Sequence, residues 1–129
     1  MIYVVDTHAL VWFLTGDSRL SNPAKKVFLD AEAQFVVPTI ALAEVKFLFA
    51  KGRIAVDLPT VLQSMQGIAN LVERDLDERI VTLMPDTLGI HDAIFVATAL
   101  YYRDVLNEKV NLVTSDRDIA KSELVDVIW

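Results

Sequence analysis

Apolar residues in this chain fall into two alternating patterns, short uninterrupted runs and longer stretches of helical period. Ile2–Val5 is short, apolar and valine-rich, which predicts a strand buried on both faces. Thr7–Leu14 predicts a helix that ends near Gly16. Asn22-Pro23 reads as a capping residue followed by proline at the first helical position, opening a helix to about Ala33. Phe35–Val37 is a second strand, and Thr39 is the expected cap of a helix that ends at Gly52. Asp57 to Pro59 starts another helix, with an apolar stripe of Leu58, Val61, Leu62, Met65, Ile68, Ala69 and Val72. Arg79–Leu83 is expected as a third strand, stopped by Pro85. A helix from about His91 to Asp104, a strand at Asn111–Thr114, a short helix from about Arg117 and a last strand at Leu124–Ile128 complete the pattern.

Strands that alternate with helices predict an α/β fold with a mainly parallel central sheet flanked by helices. Ligands of such sheets bind beyond the carboxyl ends of the strands. Four acidic residues interrupt or end the most apolar segments. Asp6 follows Ile2–Val5, and Asp116 follows Leu112–Ser115. Glu44 lies inside the apolar helical stretch Ile40–Ala50, and Asp92 opens another at Ala93–Tyr102. An unpaired buried carboxylate costs several kcal/mol or takes up a proton. If the fold gathers these four, a divalent cation is the natural counterweight.

The four differ in what else explains them. Asp6 and Asp116 each suit the N-cap of a following helix, a role compatible with metal binding. Asp92 suits the first turn of a helix, where the dipole favours negative charge. Glu44 has Ile40, Ala41, Phe47 and Leu48 as its helical neighbours, so a covered face is expected there. Lys46 sits among apolar neighbours too, but lysine can snorkel to water. Asp118 competes with Asp116, which stands closer to the strand end. Thr7, Thr114 and Ser115 adjoin the two strand-end aspartates as supporting hydroxyls, and equally as turn or cap groups. His8 and His91 lack a partner at metal-ligand spacing and are expected to be structural.

Composition narrows the class. The 129 residues are 53% hydrophobic and contain no Cys, which excludes disulfides and thiolate metal sites. The mean hydropathy of +0.40 is high for a soluble chain and predicts extensive burial, in part against a partner. No apolar run approaches the roughly 20 residues of a membrane span. No basic region precedes the apolar start, so no signal peptide is expected, and a cytoplasmic location is the default. A single domain over residues 1–129 is expected. Twelve basic against eighteen acidic residues give a net charge of −6, which argues against a broadly basic nucleic-acid grip. Lys46, Lys51, Arg53 and Arg117 remain local candidates for phosphate contacts. An oxygen-only donor set suits Mg²⁺ or Mn²⁺ rather than Zn²⁺. Such sites serve phosphoryl transfer, through activation of water and stabilisation of the leaving oxygen.

Asp6-Thr7-His8-Ala9-Leu10-Val11-Trp12, the Glu44 helix, Asp92–Leu100 and Val113–Asp118 together resemble the signature segments of PIN domains, and among them the VapC-type toxins of toxin–antitoxin pairs. The resemblance runs from end to end. It implies a PIN-like three-layer sandwich, a parallel sheet between helices. It also implies a Mg²⁺- or Mn²⁺-dependent endoribonuclease, a hydrolase acting as a toxin, with Asp6, Glu44, Asp92 and Asp116 as the acidic quartet and Thr114 in support. An RNA substrate, a homodimer and a VapB-type antitoxin whose tail blocks the active site are further implications. A catalytically silent PIN-like binding module is the alternative. A receiver-type phosphoacceptor fits less well, since Thr7, not a second acid, follows Asp6.

Overall fold

The computed structural model describes residues 1–129. Strand β1 (Ile2–Val5) leads into helix α1 (Thr7–Thr15), and α2 (Asn22–Phe28) leads into β2 (Gln34–Pro38). Helices α3 (Thr39–Ala50) and α4 (Leu58–Gln66) come next, then β3 (Leu71–Arg74) and the single turn α5 (Glu78–Val81). Helix α6 (Ile90–Leu100) runs on into a π-helical turn at Tyr101–Val105, before β4 (Val110–Val113), α7 (Arg117–Ser122) and β5 (Val127–Ile128). No helix is long and apolar enough to cross a membrane.

The five strands form one parallel sheet in the order β3-β2-β1-β4-β5. The chain builds outward from β1 in one direction and returns to β1's other side with β4. That reversal makes a topological switch point between the carboxyl ends of β1 and β4. Register sets Val5 opposite Val113, and the Asp6 amide donates to the Val113 carbonyl at 3.1 Å. The residues just beyond the two strands are therefore held side by side.

The three central strands are apolar on both faces because helices cover both. Val4, Val5, Val36, Val37, Leu112 and Val113 are all fully buried. Each such side chain removed from water contributes roughly 1.5–3 kcal/mol before entropy is counted. A stack of aromatic rings, Phe13 on Phe28 at 4.1 Å and Phe28 on Phe35 at 5.1 Å, ties α1 and α2 to β2.

Several boundaries differ from those expected of the sequence, each for a local reason. The third strand is Leu71–Arg74, and the expected strand at Arg79–Leu83 is instead the α5 turn with the two residues after it. Asp77 caps that turn by accepting from the Ile80 amide at 3.2 Å. Only Ile80 of this run is fully buried, against Ala97 and Tyr101, while Val81 is exposed. The Leu58 stripe ends at Gln66, where Gly67 caps the helix, and Val72 belongs to β3. There the Asn70 carbonyl accepts from Phe35, and the Asn70 side chain donates to Ala33.

Ser21, not Asn22, caps α2, and that helix stops at Phe28 rather than Ala33. Thr39 is the first residue of α3 rather than its cap, Pro38 taking that position with no side-chain bond. The last strand shrinks to Val127–Ile128.

Candidate metal centre

Each acidic residue of the quartet is delivered by a different element. Asp6 ends β1 and caps α1, its Oδ1 accepting from the Ala9 amide at 2.9 Å. Asp116 does the same beyond β4, its Oδ1 accepting from the Ile119 amide at 2.9 Å. In both, capping employs one carboxylate oxygen and leaves Oδ2 for another ligand. Glu44 stands mid-way along α3, and Asp92 is the third residue of α6. All four line one cavity of about 260 Å³ at the switch point, with Thr7, His8, His91 and Ser115.

Asp118, exposed in the first turn of α7, stands beside Asp92 and Asp116 without lining that cavity. Asp92, Asp116 and Asp118 can each bring a carboxylate oxygen within 4.8 Å of the others. Asp116 and Asp118, rivals in the sequence, are thus neighbours around Asp92. Asp6 and Glu44 lie outside this tighter trio.

Electrostatics tie the two parts together. Burial pushes the Asp6 carboxyl up to about 6, offset in part by the Thr114 hydroxyl and the Ala9 amide, and added to by the negative charge of Glu44. Burial likewise raises Glu44, with His91 opposing and Asp92 adding to the shift. Burial raises Asp92 as well, and Asp116 and Asp118 push it further. Repulsion therefore runs as a chain from Asp6 through Glu44 and Asp92 to the α7 pair.

No Lys or Arg lines the cavity to balance this charge. Glu44 Oε1 is buried without a hydrogen-bond partner, and so is Thr7 Oγ1. The nearest cationic candidate is His91, whose Nδ1 lies 3.5 Å from Glu44 Oε1 without a well-directed bond. A buried carboxylate oxygen with no donor, inside a ring of like charges, matches the demand of a hard divalent cation. The donor set is oxygen-rich, which fits Mg²⁺ or Mn²⁺.

The supporting hydroxyls divide. Thr114 is buried, accepts from the Asp116 amide at 3.0 Å and lies against Asp6, so one side chain bridges the two strand ends. Thr7 is also buried and faces the cavity. Ser115 lines the cavity from an exposed position.

The two histidines are not core residues. His8 is exposed, the His91 side chain is 57% exposed, and both line the cavity. Their closeness in sequence to Asp6 and Asp92 was the available signal. The covered face expected around Glu44 is only partly present, since Ala41 is buried but Phe47 is exposed. None of Lys46, Lys51, Arg53 and Arg117 lines the acidic cavity.

The chain matches the family model described as the PIN domain over residues 3–123. Among solved structures it is similar to the crystal structure of VapBC2 from Rickettsia felis bound to a DNA fragment from their promoter. The TM-score is 0.67 at 14% identity, with 98% of this chain and 97% of that chain covered. At that identity the likeness is one of fold. No curated protein matches the chain.

Proposed function

This chain belongs to the PIN-domain family, and on that premise we propose that it is a metal-dependent endoribonuclease, the toxin component of a type II toxin–antitoxin pair. The observation that carries the proposal is the cavity lined by Asp6, Glu44, Asp92 and Asp116 with no Lys or Arg among its lining residues. Those four residues, with Asp118 beside Asp92 and Asp116, would hold Mg²⁺ or Mn²⁺. Such an ion supplies Lewis-acid activation of water and neutralises charge on the scissile phosphate.

The chain's own groups do the positioning. The Ala9 and Ile119 amides fix the Asp6 and Asp116 carboxylates, and Thr114 lies between the two residues. Glu44 closes the cavity from α3 with a buried oxygen that no hydrogen bond occupies. Thr7 and Ser115 offer hydroxyls at its wall. Cleavage here is hydrolysis of an RNA phosphodiester, with substrate entering along the carboxyl edge of the sheet.

The fold neighbour is a VapBC2 assembly on promoter DNA. By analogy with it, a VapB-type antitoxin is the proposed regulator, bound to a homodimer of this chain in the cytoplasm. The chain is read as one PIN-like domain over residues 1–129.

The test is cleavage of a panel of RNAs by purified protein in Mg²⁺, Mn²⁺ or EDTA, beside Asp6→Ala and Asp92→Ala. Metal-dependent cleavage by the parent, lost in both variants, is expected. Equal cleavage by all three proteins would assign the activity to a contaminant and sink the proposal.

A further inference from the structure

A second recess, of about 450 Å³, opens between α1 and the turn after α3. Trp12, Arg19, Arg53 and Ile54 are among the residues that line it. Arg19 is held by three contacts although it is exposed. Its Nε and Nη2 donate to the two oxygens of Asp17 at 3.0 and 2.9 Å. Its guanidinium also lies over the Trp12 ring, 4.9 Å from the centroid. The side chain nevertheless remains 68% exposed. A flat, immobilised cation with its outer face in water is a stacking platform, and its charge is already met by Asp17.

Arg53 is the complement. It is exposed, lines the same recess, and its side chain makes no ion pair or hydrogen bond. It therefore has a free charge where Arg19 has a free plane. Helix α1 lines both the recess and the acidic cavity. His8, at the cavity wall, lies one helical turn before Trp12, with ring centroids 5.4 Å apart.

We propose that this recess is a nucleotide subsite for a single-stranded nucleic acid, with an unstacked base on the outer face of Arg19 and a phosphate against Arg53. Unpaired bases are recognised by aromatic rings and guanidinium planes, and a duplex has no such base to offer. This arrangement also resolves a difficulty of charge. A chain of net charge −6 has no broad basic surface, and stacking supplies affinity that does not depend on net charge. The subsite rests on the nuclease reading for its substrate, RNA, but is measured without cleavage.

The experiment is fluorescence anisotropy of a labelled 12-nucleotide single-stranded RNA in EDTA, titrated at several salt concentrations. Arg19→Lys keeps the charge and removes the plane, and Arg53→Ala removes a charge. Arg19→Lys should weaken binding about tenfold with an unchanged salt dependence. Arg53→Ala should reduce the slope of log K against log salt by about 0.7, the value for one phosphate contact on a single strand. Unchanged melting temperatures would show that both exposed substitutions leave the fold intact.

Parent-like affinity in Arg19→Lys, a parent-like salt slope in Arg53→Ala, or no binding by the parent protein would each overturn the subsite. A parallel incubation in Mn²⁺ separates the two proposals. Cleavage with unaltered variant affinities removes the subsite and leaves the nuclease. Altered affinities without cleavage do the reverse.

Discussion

Thr114 accepts from the Asp116 amide at 3.0 Å while its hydroxyl lies against Asp6. One buried side chain thereby touches both residues that follow the seam between β1 and β4. Thr114→Val keeps the shape and removes the hydroxyl. It should lower cleavage at least tenfold, weaken Mn²⁺ binding in calorimetry, and cost about 1–3 kcal/mol of stability by denaturant titration. Parent-like Mn²⁺ affinity would separate Thr114 from the site.

Repulsion among the acids gives the pH dependence a definite sign. Asp6 is raised from 3.8 to about 6 in the folded protein. Between those values the unfolded chain releases its proton while the folded one keeps it, so the contribution of Asp6 to stability falls as pH rises. Below about 4 the group contributes nothing, and above about 6 the full penalty applies. A rise of that size corresponds to about 3 kcal/mol as an order of magnitude. Glu44 and Asp92 are shifted in the same direction. Urea titrations in EDTA at pH 4.5 and pH 7 should show a smaller downward slope in Asp6→Asn than in the parent. Identical slopes would contradict the raised carboxyl.

Metal should reverse this penalty. Saturating Mg²⁺ or Mn²⁺ at a hundredfold excess over Kd stabilises the folded state by about 2.7 kcal/mol. The melting temperature should rise with metal in the parent, and rise little in Glu44→Gln combined with Asp92→Asn. In EDTA the same double variant should melt above the parent, because two repelling charges are gone. A lower melting temperature for the variant in EDTA would count against the repulsion.

Away from the cavity, Ile80→Ala tests the small α5–α6 contact. Ile80 is fully buried against Ala97 and Tyr101. Truncation should cost about 2–5 kcal/mol. Cleavage measured well below the lowered melting temperature should be unchanged. A large loss of activity in still-folded protein would mean that this contact positions Asp92 on the same helix.

The sequence made some parts of this molecule readable and hid others. Ile2–Val5 and the run ending at Val113 were plain because a strand buried on both faces has no choice but to be continuously apolar. Asp6 and Asp116 followed from them, as did the sheet edge. Arg79–Leu83 misled because one buried side chain, Ile80, beside other apolar residues looks the same in a short strand and in one helical turn. The cap at Asp77 was the better guide. β3 was hidden by Val72, whose spacing continued the α4 stripe across Gly67 and Asn70. The place of Asp118 beside Asp92 was not readable, since it depends on how α6 and α7 meet. The fixed pose of Arg19 depends likewise on tertiary contact with Trp12.

Asp6 and Asp116 each serve as a helix cap and as a wall of the cavity. That double employment constrains how the chain can change by descent. A copy without the proposed chemistry would still need an oxygen at both positions to start α1 and α7. Asparagine, serine or threonine would be tolerated there, and alanine selected against. Loss of the proposed chemistry would thus be written in exchanges that keep a capping oxygen, and a lineage with asparagine at both positions would keep the whole architecture without the two carboxylates.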